Sequence, residues 1–367
     1  MLDILTTINI VLLVFIIIYA IDFKNPKNII ILTFLYIYHI IISIIFYFMS
    51  FTRTSDAFNY YHRTLENINN HTSVAFSFGT KFIDSIVHFL IQTLNFSYFN
   101  TFLLFSSISF LGIILLYHLL VQQKNISSYG SLILFLPGVH FWISSLGKDS
   151  LIFLFLSLSL YALVKNKIYI LGISLLFIFL IRPHIALMLI VAIVFSFMIK
   201  TRVKLSIKIF SSIILFGFLL IIIQSVMQYV GIDSYENIFD YINQRQQYNL
   251  EGSSSIVISE MNIVEKYFTF WYRPLFENLT FNYFIISIEN LLYLFITLYI
   301  IKNRKYIIWD HITLTIVLYI LFVTFILSST TANFGIIIRQ KIMLFPMFYY
   351  LFIFVVNNKK RSVLHAK

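Results

Sequence analysis

Eleven uninterrupted apolar runs constrain this chain more than any other feature. They fall at about 5–21, 29–49, 98–121, 132–146, 151–164, 168–181, 185–198, 209–230, 283–301, 312–327 and 342–356. A membrane-spanning strand alternates apolar and polar residues. These runs do not alternate, so each is read as a helix that satisfies its own backbone hydrogen bonds within the lipid. The chain is 60% hydrophobic and 11% charged, where a soluble domain is about 25% charged. A water-soluble fold of this length has too little polar surface to cover such a core. The expected fold is all-α and polytopic: a single integral membrane domain over 1–367 with about 11 transmembrane helices. The first run is preceded only by Asp3 and no basic residue, so it is expected to be a retained span and not a cleaved signal.

The net charge of +11 superficially suggests a nucleic-acid partner, but its distribution along the chain points elsewhere. Sixteen basic residues, among them Lys24, Lys124, Lys165, Lys200, Lys208, Lys302 and Lys359, share one alternating set of short loops with two acids, Asp22 and Asp310. That set carries +14, and the rest of the chain carries −3. Basic loops stay in the cytoplasm, so the N-terminus is expected outside and the C-terminus inside. The charge is thus a topology signal with attraction to anionic lipids, and no nucleic-acid partner is expected. Two long loops, 50–97 and 231–282, fall on the outer side. Within them 81–96 and 264–279 read as interfacial helices, and 251–262 as a mobile stretch.

Ionisable residues at span ends are where function concentrates in such chains. One cluster is 137–150, PGVHFWISSLGKDS, whose Pro and Gly suggest a bent or broken helix ending at Lys148 and Asp149. Its GKDS is not a P-loop, because Trp142 stands where that motif needs its first Gly. A plain hairpin with an interfacial Lys is the alternative. Arg182-Pro183-His184 is a second cluster; Arg suits phosphate through its forked donors and permanent charge, or it reaches to lipid headgroups. Arg339 and Lys341 form the third. Asp56, just after the second run, is a general base, a sugar ligand or part of a helix cap. Glu289 is the acid deepest within a run and either gives up its charge or pairs with a cation. Arg273, between Tyr272 and Pro274 and next to Trp271, is the best sugar or lipid contact of the second long loop. There are no cysteines, no D-x-D and no H-E-x-x-H, so no metal and no cofactor are expected.

Four patches, HFWISSLGKDSLIFLFLSLSLYAL, LIRPHIALMLIVA, SDAFNYYH and RQKIMLFP, resemble the Wzy-type and EpsG-like membrane proteins of bacterial surface-polysaccharide clusters, which include O-antigen repeat-unit polymerases. The chain departs from the Arg-x10-Gly pattern of some of these polymerases, since Ile193 stands at the Gly position after Arg182. The resemblance implies a bacterial inner-membrane glycosyltransferase that works without metal on the periplasmic side. It would polymerise undecaprenyl-diphosphate-linked repeat units of O-antigen, capsule or exopolysaccharide, with a lipid-linked donor and acceptor as substrates. A chain-length regulator and a flippase of the same pathway are implied partners. In that reading Lys148, Arg182, Asp56 and Asp149 are catalytic, while Arg339, Lys341, His184, Arg273, Tyr60, Trp142 and Trp271 bind substrate. Two rivals stay open, a transferase using a polyprenyl-phosphate sugar and a lipid-linked oligosaccharide flippase. His140 and His184 leave an acyltransferase as a further option.

Overall fold

The computed structural model describes residues 2–52, 55–72, 76–121, 132–200, 254–277 and 280–365, with isolated positions between 204 and 247. Most of the run at 209–230, and Tyr235, Tyr241 and Tyr248 of the second long loop, lie outside the described residues. Among those described, the regular structure is helical apart from one isolated bridge, between Ser255 and Asn333. Six helices are long and apolar enough to cross a bilayer, or up to eight if two bent helix pairs each count as a span. The chain divides into two units, Met1–Arg182 and Pro183–Lys367, each described by itself.

The first unit holds α1 (Leu2–Asp22), α2 (Pro26–Thr52), α3 (Asp56–Asn69), α4 (Thr80–Leu94), α5 (Tyr98–Val121), α6 (Pro137–Ile143), α7 (Lys148–Val164) and α8 (Ile168–Ile181). α5 sits at its centre, packed on α1, α2 and α7. The approach of α5 to α7 depends on Gly112: a Cβ there would lie 2.9 Å from Phe153 Cδ1 and 3.1 Å from the Leu154 Cα. Small residues at such crossings allow the close backbone packing on which helix association in lipid depends. Farther along, Ser159 on α7 donates to the Ser174 hydroxyl on α8 at 2.8 Å, and Ser174 donates in turn to the Leu171 carbonyl of its own helix. The other faces of α1 and α2 leave Ile16, Phe34 and Phe48 exposed, as expected of helices that a bilayer covers. The tight turn between α1 and α2 is tied down by polar groups. Asn28 donates to Asp22 (2.8 Å), Tyr117 donates to Asn28 (3.0 Å), and His118 Nε2 lies 2.9 Å from the second Asp22 oxygen.

The run at 132–146 is not one straight helix. A 3-10 turn at Ile133–Phe135 leads through Leu136 into α6, and α6 and α7 meet at a bend of 112°. Pro137 stands at the start of α6, where its missing N–H costs no helical hydrogen bond.

The second unit holds α9 (Pro183–Lys200), α10 (Ile263–Tyr272), α11 (Phe281–Lys302), α12 (His311–Thr330), α13 (Phe334–Gln340) and α14 (Phe345–His365). α9 packs along α12, with Ser196 and Thr315 hydrogen-bonded between them. α10 starts with a capping box, in which Asn262 and Glu265 each accept the other's backbone N–H, and packs on α11 and α12. The stretch at 251–262 departs from the mobility expected of it over its described part. Ile256 donates to the Ala332 carbonyl (2.9 Å), Phe334 donates to that of Ser254 (2.9 Å), and Ile258 is buried. Apolar Ile256 and Ile258 explain the difference, because burying them orders the backbone. The last run is broken too: α13, with its 3-10 extension to Met343, is bent by 60° against α14.

Candidate functional site

The first unit builds a polar cluster around the bend between α6 and α7. Gly147 occupies the bend with φ +151°, a backbone region closed to residues with a Cβ. A Cβ there would also press on the Tyr60 ring at 3.3 Å. This close approach seats α3 on the bend. α3 is placed by its own pattern: Ala57, Tyr60, Tyr61 and Thr64 form the buried stripe, and Ser55 caps the first turn by accepting from Phe58 N at 3.1 Å. The cap is therefore Ser55, and Asp56 is the first helical residue and exposed. Asp56 precedes Tyr60 by one turn of α3. Tyr61 donates to the Phe96 carbonyl (3.1 Å), and burial pushes its phenol up from the ordinary value, which keeps it neutral and donating.

Lys148 and Asp149 open α7 immediately after Gly147. Asp149 is 1% exposed and accepts from Arg182 Nη2 at 2.7 Å. Arg182 lies at the end of α8, in extended backbone that Pro183 imposes on the residue before it. Its guanidinium is 16% exposed, and its Nε is a buried donor without a hydrogen-bond partner. An unmet charged donor is costly when buried, so it stands ready for an added acceptor. Lys148 is half-buried, and so is Trp142, whose ring packs edge-on to Phe46 at 6.2 Å. Arg63 extends the cluster along α3, covering the Tyr60 ring at 5.6 Å and bonding Asp84 of α4 at 2.6 Å. The Gly79 N–H, ahead of α4, bonds the Leu180 carbonyl at 2.8 Å and ties α4 to the end of α8. Sequence reading singled out Tyr60, Lys148, Asp149 and Arg182 but not Arg63 and Asp84. Their only signal was a charge pair inside two amphipathic patterns.

The second unit uses its charged residues differently. Lys341, expected to bind substrate, is 3% exposed. Its side-chain nitrogen donates to the Trp271 carbonyl (2.9 Å) and to Asn290 Oδ1 (2.5 Å) and lies 5.5 Å from the Tyr293 ring centre. Those contacts engage it from inside the protein, where it braces the broken last run. Trp271, also expected to bind substrate, is likewise packed inside the protein. It is 7% exposed, its Nε1 donates to Thr324 (3.1 Å), and its ring lies 4.8 Å from Phe348. Phe270 and Trp271 of α10 are packed inward, where α11 and α12 meet this helix, while Phe268 stays exposed. Glu289 is buried on α11. Arg273 does stay accessible. It is held by Glu277 through two bonds of 2.5 and 2.9 Å and sits 5.4 Å from the Phe334 ring. The Glu277 bonds raise its guanidinium above the ordinary value. Arg339, in the last turn of α13, and His184, in the first turn of α9, are half-buried.

The described geometry thus offers one carboxylate-oriented arginine with a donor to spare, a half-buried lysine next in sequence to that carboxylate, and an exposed carboxylate on a helix seated at the same bend. That set suits an anion and a proton transfer. Comparison with protein-family models, with curated proteins and with solved structures gave no match to this chain.

Proposed function

We propose that this chain is a bacterial inner-membrane glycosyltransferase that polymerises polyprenyl-diphosphate-linked glycan repeat units on the periplasmic side. The observation that carries the reading is the Arg182 guanidinium, oriented by buried Asp149 and left with an unpartnered Nε. In the reaction the bond from the donor's anomeric carbon to the diphosphate oxygen breaks. A bond from that carbon to an acceptor hydroxyl oxygen forms, and the hydroxyl proton passes to a carboxylate. Charge grows on the departing diphosphate, where Arg182 and Lys148 would stabilise it. Asp149, buried and engaged by Arg182, acts as the positioning residue. Asp56, exposed on the face of α3 that carries Tyr60, is the proton acceptor.

In this reading eleven runs cross the membrane. The 112° bend turns 132–146 and α7 into the two arms of a hairpin, and α8, with 14 residues, is a short span. Gly147 and Arg182 then share the outer side, and Lys165 and Lys167 lie in the cytoplasm.

A flippase for lipid-linked oligosaccharide is the second reading, favoured by the buried polar pair His39 and His140 within the apolar helices. Deletion separates the two. Loss of a polymerase leaves single repeat units on the cell surface, whereas loss of a flippase leaves none. Lys148→Ala and Arg182→Ala should each reduce a ladder of surface glycan to one repeat unit at normal protein level. A normal ladder in both would end the proposal. Reporter fusions at Lys165 and Ser254 should signal inside and outside respectively, and an outside signal at Lys165 would overturn the topology.

A further inference from the structure

His39 of α2 and His140 of α6 face one another in the first unit, both fully buried. His39 Nε2 is 3.0 Å from the Ser106 carbonyl oxygen, and His140 Nε2 is 2.6 Å from that of Leu134. The two Nδ1 atoms are 2.8 Å apart. A carbonyl oxygen only accepts, so each Nε2 carries a proton. Ser109 gives no relief. Its hydroxyl proton goes to the Ser106 carbonyl at 2.7 Å, which leaves its oxygen to accept from His39 Nε2 at 3.3 Å. Two neutral imidazoles with both Nε2 protonated would therefore point bare Nδ1 lone pairs at each other across hydrogen-bonding distance. The contacts close only when a third proton lies between the rings.

We infer that His39 and His140 form a proton-binding site that the glycosyltransferase reading does not use. One proton taken from water sits on the Nδ1···Nδ1 line, and the neutral pair becomes an imidazole–imidazolium pair of charge +1. A metal ion does not fit the same gap. Two nitrogens bound tetrahedrally to one zinc at 2.0–2.1 Å stand about 3.3 Å apart. Among the described residues, the titratable groups against the pair are the two rings themselves and Tyr38, whose ring centre is 4.9 Å from that of His140. On the elements packed around it, α5 carries His118 in its contact with Asp22, and α7 carries Lys148 and Asp149 next to Gly147. No carboxylate of the described residues faces the pair, so the ring nitrogens alone hold the proton, and its occupancy falls as pH rises through the pair's own titration. The bound proton joins α2 and α5 to α6 and the preceding 3-10 turn. When it leaves, one of the three contacts must open. The segment so released runs directly into the Gly147 bend, which makes the pair a proton-responsive latch on that bend.

The test is nitrogen NMR of the full-length chain in lipid nanodiscs, with the nine histidines labelled and pH lowered from mildly alkaline to mildly acidic. The expected result is one ring pair that becomes imidazolium reversibly and shows scalar coupling between its two Nδ1 nuclei. Both signals should vanish in His39→Gln. His140→Asn supplies an amide N–H to His39 Nδ1 without titrating, so His39 should stay neutral across the same range. Two rings that remain neutral wherever the protein is folded, or an imidazolium without the coupling, would overturn the inference. So would a His39 that charges in His140→Asn as it does in the parent chain.

Discussion

Each unit contains a broken apolar run with a cation near the break, and the two cations have opposite fates. Lys341 lies where α13 gives way to α14 and is satisfied from within the protein by a carbonyl, an amide oxygen and a ring face. Arg182 bonds a carboxylate on α7, beside the bend at Gly147, yet keeps a donor without a partner and part of its guanidinium exposed. A buried cation whose donors are all met has no affinity left for a ligand. One that is oriented but incompletely met gains by taking an anion, because its desolvation has already occurred on folding. The contrast separates a brace from a candidate binding group without appeal to sequence position.

The strongest way to break this comparison is at Arg182. Arg182→Ala should lower polymer formation by about 100- to 1,000-fold, the range for loss of a charge-stabilising donor, and Arg182→Lys should restore only part, because an ammonium lacks the fork. Full activity in Arg182→Lys, measured as glycan chain length, would show that charge alone suffices. Lys341→Met should act on stability instead. Removing one partner of a buried polar set costs about 3 kcal/mol, read as a lower thermal midpoint in detergent, while KM of the folded protein stays unchanged. A raised KM would move Lys341 to the binding side. Gly147→Ala should cost about 1–3 kcal/mol from its backbone conformation, and it should lower activity because the added Cβ displaces Tyr60. Gly112→Ala, in the same unit but away from the bend, should cost about 1–3 kcal/mol of overpacking with activity retained. Arg273→Ala should be the mildest, below about 1 kcal/mol for a partly exposed pair. A large loss of activity there would extend the site to the second unit.

The bend and its charged residues were legible in the sequence, because Pro137, Gly147, Lys148 and Asp149 interrupt an apolar pattern within a few residues. The pairing of Asp149 with Arg182 was not, since 33 residues separate them. Lys341 and Trp271 looked like surface groups because both adjoin polar residues in sequence, and the packing of α10, α11 and α14 buries them. His39 carried a usable signal, a histidine inside an otherwise apolar run, but its partner is 101 positions away.

By itself the sequence determined that this chain is helical and belongs in a bilayer, and where one of its two broken runs bends. Hydropathy and backbone preference are properties of short stretches, so they can be read in order along the chain. Only the tertiary structure decided which cation is held by oxygens of the protein and which keeps a donor without a partner. Desolvation and hydrogen bonding belong to groups that meet across helices, and neighbours along the chain do not specify them.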